Sequence, residues 1–277
     1  MMNPSHLLLR YGELFLKLGN RSWFERKLME NIRKITHYQV QRVQGRLIIP
    51  YSGNPQSLQR VFGLVSYSPT LKVEKNLALI QKTALEFLYQ KQGTFKIETN
   101  RADKRFPYTS PEVNKLLGQF IEKNTSLKFS FKNPHTILYL EINQDGAHLY
   151  DEIMPCCGGL PTGVEGKLLV LLEDEASILA GLLMMKRGCS IYPVSFMEHG
   201  DISLLQLFSP STLSLTVLQN LSELERFARK KGISVLVSGQ QFENLSDYET
   251  SLQVLRPLIA YGREEIEREL LKFRAVI

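Results

Sequence analysis

Only three cysteines occur among 277 residues, and Cys156, Cys157 and Cys189 form no C-x-x-C pair. That spacing leaves a disulfide framework and a zinc site without support. Cys156 and Cys157 are adjacent in a Gly- and Pro-rich connector. They read either as a redox or sulfur-handling pair or as small residues filling a turn. No run of about eighteen apolar residues occurs, so no membrane-spanning helix is expected. The opening stretch meets Arg10 and Glu13 too early for a signal peptide, and a cytoplasmic protein is the expectation. Internal repeats and low-complexity tracts are missing too. What is present is ordinary for a globular chain, 43% hydrophobic and 22% charged, with length for two or three domains.

Charge is unevenly spread. Residues 1–150 carry 22 Lys and Arg against 11 Asp and Glu, whereas 151–277 carry 12 against 17. A basic front and a mildly acidic back suit a front that meets a polyanion, although basic faces are also simply solvated.

In chain order, His6 to Arg10 reads as a strand and Trp23 to about Ile35 as a helix capped by Ser22. A hairpin spans Gln39–Val43 and Arg46–Pro50, a second helix runs from Asn54-Pro55 to Gly63, and Val65–Val73 is extended. This β-α-β-β-α-β order is that of a ferredoxin-like unit. A second unit has a helix at Leu77–Tyr89, a strand at Thr94–Thr99, and a helix after Ser110 with Pro111 at its first position. Strands at Lys128–Phe131, Ile137–Asn143 and Ala147–Tyr150 complete it, the last two joined by a turn at Gln144-Asp145-Gly146. The third unit has a fully apolar strand at Leu168–Leu172, a helix at Ile178–Arg187 capped by Ser177, and a strand at Ser190–Phe196. A helix at Leu215–Lys231, a strand at Ile233–Val237 and a helix at Gly262–Phe273 follow. These form a small α/β sheet with crossover helices. The fold class is therefore α/β, with an α+β front half.

A strand, tight turn and helix is where such a sheet holds nucleotide phosphates, on the backbone N–H groups of a glycine-rich turn. Here the turn is Glu173-Asp174-Glu175-Ala176. It has no glycine, and its carboxylates repel phosphate. The acids suit Mg²⁺ or, more simply, the positive end of the helix that follows. His199 and Asp201 lie close in sequence, but no nucleophile or oxyanion motif accompanies them.

Three stretches together resemble one family: R-Y-G-E at Arg10–Glu13, F-K-I-x-x-x-R-x-x-K-x-F-P-x-x-S-x-E-V at Phe95–Val113, and G-G-L-P-x-G-x-x-G-K at Gly158–Lys167. They are similar to the tRNA 4-thiouridine synthetase, or tRNA sulfurtransferase (ThiI), family. The resemblance implies a ferredoxin-like domain over 1–56, its last strand reaching about residue 73, and a THUMP domain over 57–157. A Rossmann-like, PP-loop-type domain would occupy 158–277. It implies docking of the tRNA acceptor stem and 3′ end, ATP with Mg²⁺ as cofactor, adenylation of a uridine, and sulfur delivery by a persulfide cysteine. It also implies homodimers. By position the RNA face would include Lys17, Arg21, Arg101, Lys104, Arg105, Phe106 and Pro107. Arg and Lys suit phosphate, and Phe106 either stacks on an unpaired base or braces its loop. The ATP pocket would include Leu171, Leu172, Ser177, Ser195, Phe196 and Gly239.

The departures from the family pattern shape the expected function. The family's S-G-G-x-D-S turn becomes E-D-E-A-S, one residue shorter. The chain also stops at Ile277, before the family's sulfur-transfer cysteines and any rhodanese domain. The expectation is a tRNA-binding protein of thio-modification that lacks a complete ATP and sulfur site of its own. The alternatives are an active or split sulfurtransferase that borrows ATP or persulfide chemistry from a catalytic partner protein, and a non-RNA interaction protein.

Overall fold

The computed structural model describes residues 3–12, 18–198 and 200–276. Element order runs β1 (His6–Tyr11), α1 (Arg21–Thr36), β2 (Gln41–Val43), β3 (Arg46–Pro50), β4 (Leu64–Val73), α2 (Leu77–Leu88), β5 (Thr94–Arg101) and α3 (Ser110–Asn124). Strands β6 (Lys128–Phe129), β7 (Thr136–Ile142), β8 (Ala147–Tyr150) and β9 (Met154–Pro155) follow. The C-terminal part holds β10 (Lys167–Leu171), α4 (Glu175–Lys186), β11 (Ser190–Ser195), α5 (Ser203–Phe208), β12 (Thr216–Val217), α6 (Leu221–Lys231), β13 (Val235–Val237), β14 (Gln253–Leu255) and α7 (Arg263–Arg274).

Two compact units result, each discontinuous in sequence. The first comprises Met1–Arg10, Tyr38–Gly53 and Ser66–Pro155; the second comprises Tyr11–His37, Asn54–Val65 and Cys156–Ile277.

The first unit is built on a nine-stranded sheet in the order β2-β3-β1-β4-β8-β7-β5-β6, with β9 also paired to β4. Strand β4 thus joins the strands of the ferredoxin-like motif to those of the second motif in one sheet. Strands β5 and β7 are parallel over Phe95–Arg101 and Thr136–Ile142. Phe95 and Ile97 alternate inward from β5 and meet Ile80, Ala84 and Leu88 of α2 and Val113, Leu117 and Ile121 of α3. The helical spacing of those residues gives each helix one apolar face. The α3 cap lies one residue earlier than Ser110: Thr109 and Glu112 bond reciprocally, as a capping box requires.

The second unit contains a five-stranded parallel sheet, β12-β11-β10-β13-β14. The apolar run of β10 is explained by its central place. Leu168 and Val170 enter one core and Leu169 and Leu171 the other, so both faces are buried. Residues 54–65 contribute Phe62, whose ring lies 5.5 Å from Phe208 and 6.2 Å from Phe273.

Several expected elements differ. Pro55–Arg60 is a 3-10 helix rather than an α-helix, with Asn54 accepting from Gln56 N. The helix expected at Leu215–Lys231 begins only at Leu221, where Asn220 caps it by accepting from Glu223 N. Thr216 and Val217 instead pair with Val194 and Ser195 as an edge strand. Short α5, β12 and β14 escape sequence patterning because two to six residues carry too little periodicity.

Candidate functional site

Two places bear on function, one in each unit. In the first unit, β5 pairs with β6 only at Thr94–Lys128 and Phe95–Phe129. Beyond Phe95 that edge of β5 has no partner strand among the described residues, and a groove of about 620 Å³ runs along it. Lys96, Ile97, Glu98 and Thr99 form one wall, and Pro111, Asn114, Lys115 and Gly118 of α3 the other, with Phe129 and Phe131 at its end. Phe131 is 78% exposed and meets Phe129 edge-on at 4.7 Å. Thr99 Oγ1 and Asn114 Oδ1 are out of contact with solvent and have no hydrogen-bond partner among the described residues. Such atoms are costly unless something polar reaches them. The groove therefore combines an aromatic face, two unmet polar atoms and mixed charge: Lys115 is exposed, Lys96 is paired with Glu98 at 2.6 Å, and Glu122 also lines it.

The basic loop between β5 and α3 is more internally tied than its composition suggests. Arg101 donates to the backbone carbonyls of Phe106 at 2.9 Å and Lys104 at 3.4 Å. Asp103, nearly buried, accepts from Arg105 at 3.0 and 3.1 Å and from Lys75 at 2.6 Å. Hydrogen bonds from Arg105 and then Lys75 hold its carboxyl well below the usual carboxylate range. Lys104 and Pro107 are exposed. Phe106 is not: at 4% exposure it packs in the core with Tyr108 beside it. Its ring braces the loop and is not presented for stacking on a base. Arg21 lies in the second unit, bonded to Glu25 at 2.8 Å and to Tyr11 at 3.3 Å. Lys17 lies outside the described residues.

In the second unit the turn after β10 is closed on itself. Asp174, not Ser177, is the N-cap of α4, and Ser177 occupies the third helical position. Asp174 Oδ1 accepts from Ser177 N at 3.0 Å, while Ser177 Oγ accepts from the amides of Glu173 and Asp174. The amides of Glu173, Asp174 and Ser177 are thus bonded within the turn. Gly239, after β13, lies so close that a Cβ there would be 2.4 Å from Ser177 N. Glu173 is anchored from the same side, accepting from Tyr248 Oη at 2.7 Å. Ser195 donates to Leu172 O at 3.1 Å and accepts from Met197 N at 3.0 Å. Leu171 and Leu172 are buried and Phe196 is 37% exposed. The strand ends thus bring together the residues named for a nucleotide pocket, with the hydroxyls of Ser177 and Ser195 engaged by nearby backbone. Among the described residues no cluster of His, Cys, Asp and Glu could hold a metal ion.

The cysteines are poor nucleophiles as placed. Burial pushes the thiols of Cys156 and Cys157 up to about 12 and about 11, so thiolate is scarce at neutral pH. No described helix is long and apolar enough to cross a membrane.

The signal for the groove residues was weak in sequence: Thr99, Asn114 and Phe131 belong to no motif, and strand pairing alone brings them together.

Comparison with known proteins accords with this organisation. Residues 6–68 match the ThiI ferredoxin-like domain and residues 74–152 the THUMP domain. The chain is 31% identical to a protein named "Probable tRNA sulfurtransferase" from Macrococcus caseolyticus, covering 96% of this chain and 81% of that one. A protein of the same name from Mycoplasmopsis synoviae is 38% identical, over 69% of this chain and 51% of its own length. The chain spans about half the length of the first such relatives. Among solved structures, PH1313 from Pyrococcus horikoshii Ot3 superposes with a TM-score of 0.83 at 30% identity over all of both chains. A 4-thiouridine synthetase solved with RNA and bound ATP superposes at 0.80 and 26% identity, over 99% of this chain and 85% of that one. The fold is thus a ferredoxin-like and a THUMP domain followed by a Rossmann-like sheet, and the chain belongs to the tRNA sulfurtransferase family.

Proposed function

We propose that the chain binds tRNA through its first unit and serves tRNA thio-modification, with the ATP step supplied by a partner. The observation that carries the RNA reading is the groove along β5. An extended single strand placed there would stack a base on Phe131, and a small side-chain shift would open Thr99 Oγ1 and Asn114 Oδ1, now out of contact with solvent, to base or ribose hydrogen bonds. Lys115 and Lys104 would meet phosphate. The excess of Lys and Arg in residues 1–150 adds long-range attraction. The RNA-bound relative with the same fold makes RNA the fitting polyanion.

The closed turn of the second unit supports assigning ATP chemistry elsewhere. ATP with Mg²⁺ would need a cradle of backbone amides at this turn, and those of Glu173, Asp174 and Ser177 are already bonded to the side chains of Ser177 and Asp174. Each carboxylate within about 4 Å of a phosphate costs roughly 1–4 kcal/mol at effective dielectrics of 80 to 20. A helix N-terminus returns only about 0.3–1 kcal/mol. On this reading the carboxylates and the bonded amides make the turn a poor fit for the nucleotide.

The deciding experiment is filter binding of purified protein to tRNA at several salt concentrations, comparing wild type with Phe131→Ala and with Asn114→Ala. Loss of one stacked base corresponds to about 1–3 kcal/mol, so affinity should fall by about fivefold or more for Phe131→Ala. Wild-type affinity in both folded variants would exclude the groove. Failure of the wild type to bind tRNA would favour a non-RNA interaction protein.

A further inference from the structure

The second unit holds a separate groove of about 500 Å³ walled by α4, α5 and α7. Its floor is apolar: Leu172, Ile178, Met197, Leu204, Leu207 and Leu270 line it. Its rim carries four carboxylates, on Glu173, Asp174, Glu175 and Asp201, against the single guanidinium of Arg274, which Glu175 already holds at 2.9 Å. The acidity extends beyond the rim. Among the described residues, the loops leaving β10, β11 and β13, residues 172–175, 196–198, 200–202 and 238–252, contain eight Asp and Glu and no Lys or Arg. Met197 of the floor is 51% exposed, and Phe196, next to it in the chain, 37%.

We propose that this groove docks an amphipathic helix of a partner protein whose apolar face is flanked by lysine and arginine. The charge of the rim selects the flanks, since a polyanion would be repelled and a cationic segment steered in. The apolar floor selects for a face of Leu-like side chains, and Met197 can adapt to their shape. A helix, rather than an extended peptide, follows from the sheet. Strand β10 is paired on both sides by β11 and β13, and β11 by β10 and β12, so no open strand edge borders the groove. A segment lying on apolar side chains without a strand to pair with must satisfy its own backbone, as a helix does. The inference deepens the reading in which a partner completes the chemistry, but it rests on this unit's surface alone.

The test uses the full chain and a synthetic helix of about twenty residues, made of Leu and Lys with leucines on one face. Two controls are a Leu/Glu helix of the same pattern and a scrambled Leu/Lys peptide with no apolar face. Calorimetry should show micromolar binding of the Leu/Lys helix, weakening with added salt, and at least tenfold weaker binding of both controls. The variant Glu173→Gln/Asp174→Asn/Asp201→Asn retains side chains able to make the observed hydrogen bonds and removes three charges. It should lose at least tenfold for the Leu/Lys helix, as should Leu207→Ala, while tRNA affinity stays at the wild-type value. Equal binding of the scrambled peptide, or full binding by the neutralised variant, would overturn the proposal. So would ATP·Mg²⁺ displacing the helix, which would mark a nucleotide site. Failure of tRNA binding with helix binding intact would instead fault the RNA reading alone.

Discussion

Tyr248 donates its hydroxyl to Glu173 at 2.7 Å, and the same hydroxyl lies 3.0 Å from Ser238 Oγ. This pair links the segment after β13 to the acidic turn after β10. Burial, with Glu173 adding, pushes the Tyr248 phenol up to about 12, so it remains a donor across the neutral range. Calorimetry with ATP·Mg²⁺ should accordingly show no binding in the micromolar range. Tyr248→Phe removes one partly exposed hydrogen bond to a carboxylate and should cost about 1 kcal/mol in urea unfolding. Because the amides of Glu173, Asp174 and Ser177 stay bonded and the carboxylates stay in place, that variant should not gain ATP affinity. Micromolar ATP binding by the wild type, with pyrophosphate released in the presence of tRNA, would refute the closed-turn reading.

The two basic residues of the β5–α3 loop should behave differently on substitution. Lys104 is exposed, so Lys104→Ala should leave stability within about 0.5 kcal/mol. If Lys104 meets a phosphate, the slope of log affinity against log salt should fall by about one. Arg101→Ala instead deletes bonds to two backbone carbonyls that hold Phe106 in place. It should lower the thermal midpoint and weaken RNA binding without a matching change of slope. Thermal melts read beside salt titrations separate the two effects. Identical behaviour of the two variants would show that the loop is not organised by Arg101.

Much of the architecture was legible because periodicity and punctuation agreed. The strand at β5, the apolar run of β10 and the helix at α2 each lie where their patterns place them. Cap positions were less legible. Thr109 and Asp174 both precede residues that are themselves good caps, Ser110 and Ser177, and the reciprocal bonding that decides between such neighbours is a three-dimensional fact. The candidate RNA surface was legible as charge but not as geometry. Asp103 binds Arg105 and Lys75, and Phe106 is core, whereas Phe131 is the aromatic left exposed. Local composition does not reveal which ring a strand edge leaves open.

The discontinuous second unit leads to a prediction about truncation. Residues 11–37 and 54–65 cluster with 156–277, not with the rest of the first 150 residues. Asn31 Nδ2 donates to Thr162 O at 2.9 Å, and Phe62 clusters with Phe208 and Phe273. A fragment ending at Cys157 strips these partners away, and burial of a Phe side chain is worth several kcal/mol. That fragment should unfold at a clearly lower temperature than the full chain, or bind a hydrophobic dye before melting. A cooperative melt at the full-length midpoint would show that residues 11–37 and 54–65 find sufficient cover within the fragment.

The last prediction concerns acid. His148 is fully buried, with Nδ1 3.3 Å from Thr70 Oγ1 and Nε2 3.5 Å from Asp145 Oδ2. Burial lowers its pKa to about 4, with Lys72 and His6 lowering it further and Asp145 opposing them. A depressed pKa means that the unfolded chain, whose histidine titrates near 6.5, binds a proton that the native chain refuses. The contribution is therefore complete above about pH 6.5 and is lost as pH falls toward 4. Between about pH 7.5 and about pH 5 the loss should be about 2 kcal/mol, and the lowered pKa of His6 acts in the same direction. Urea unfolding at the two pH values measures it directly. The variant His148→Gln cannot charge, so its stability should fall much less over that interval even though it starts lower. An equal drop in wild type and variant would assign the acid sensitivity to other groups and leave His148 a packing residue.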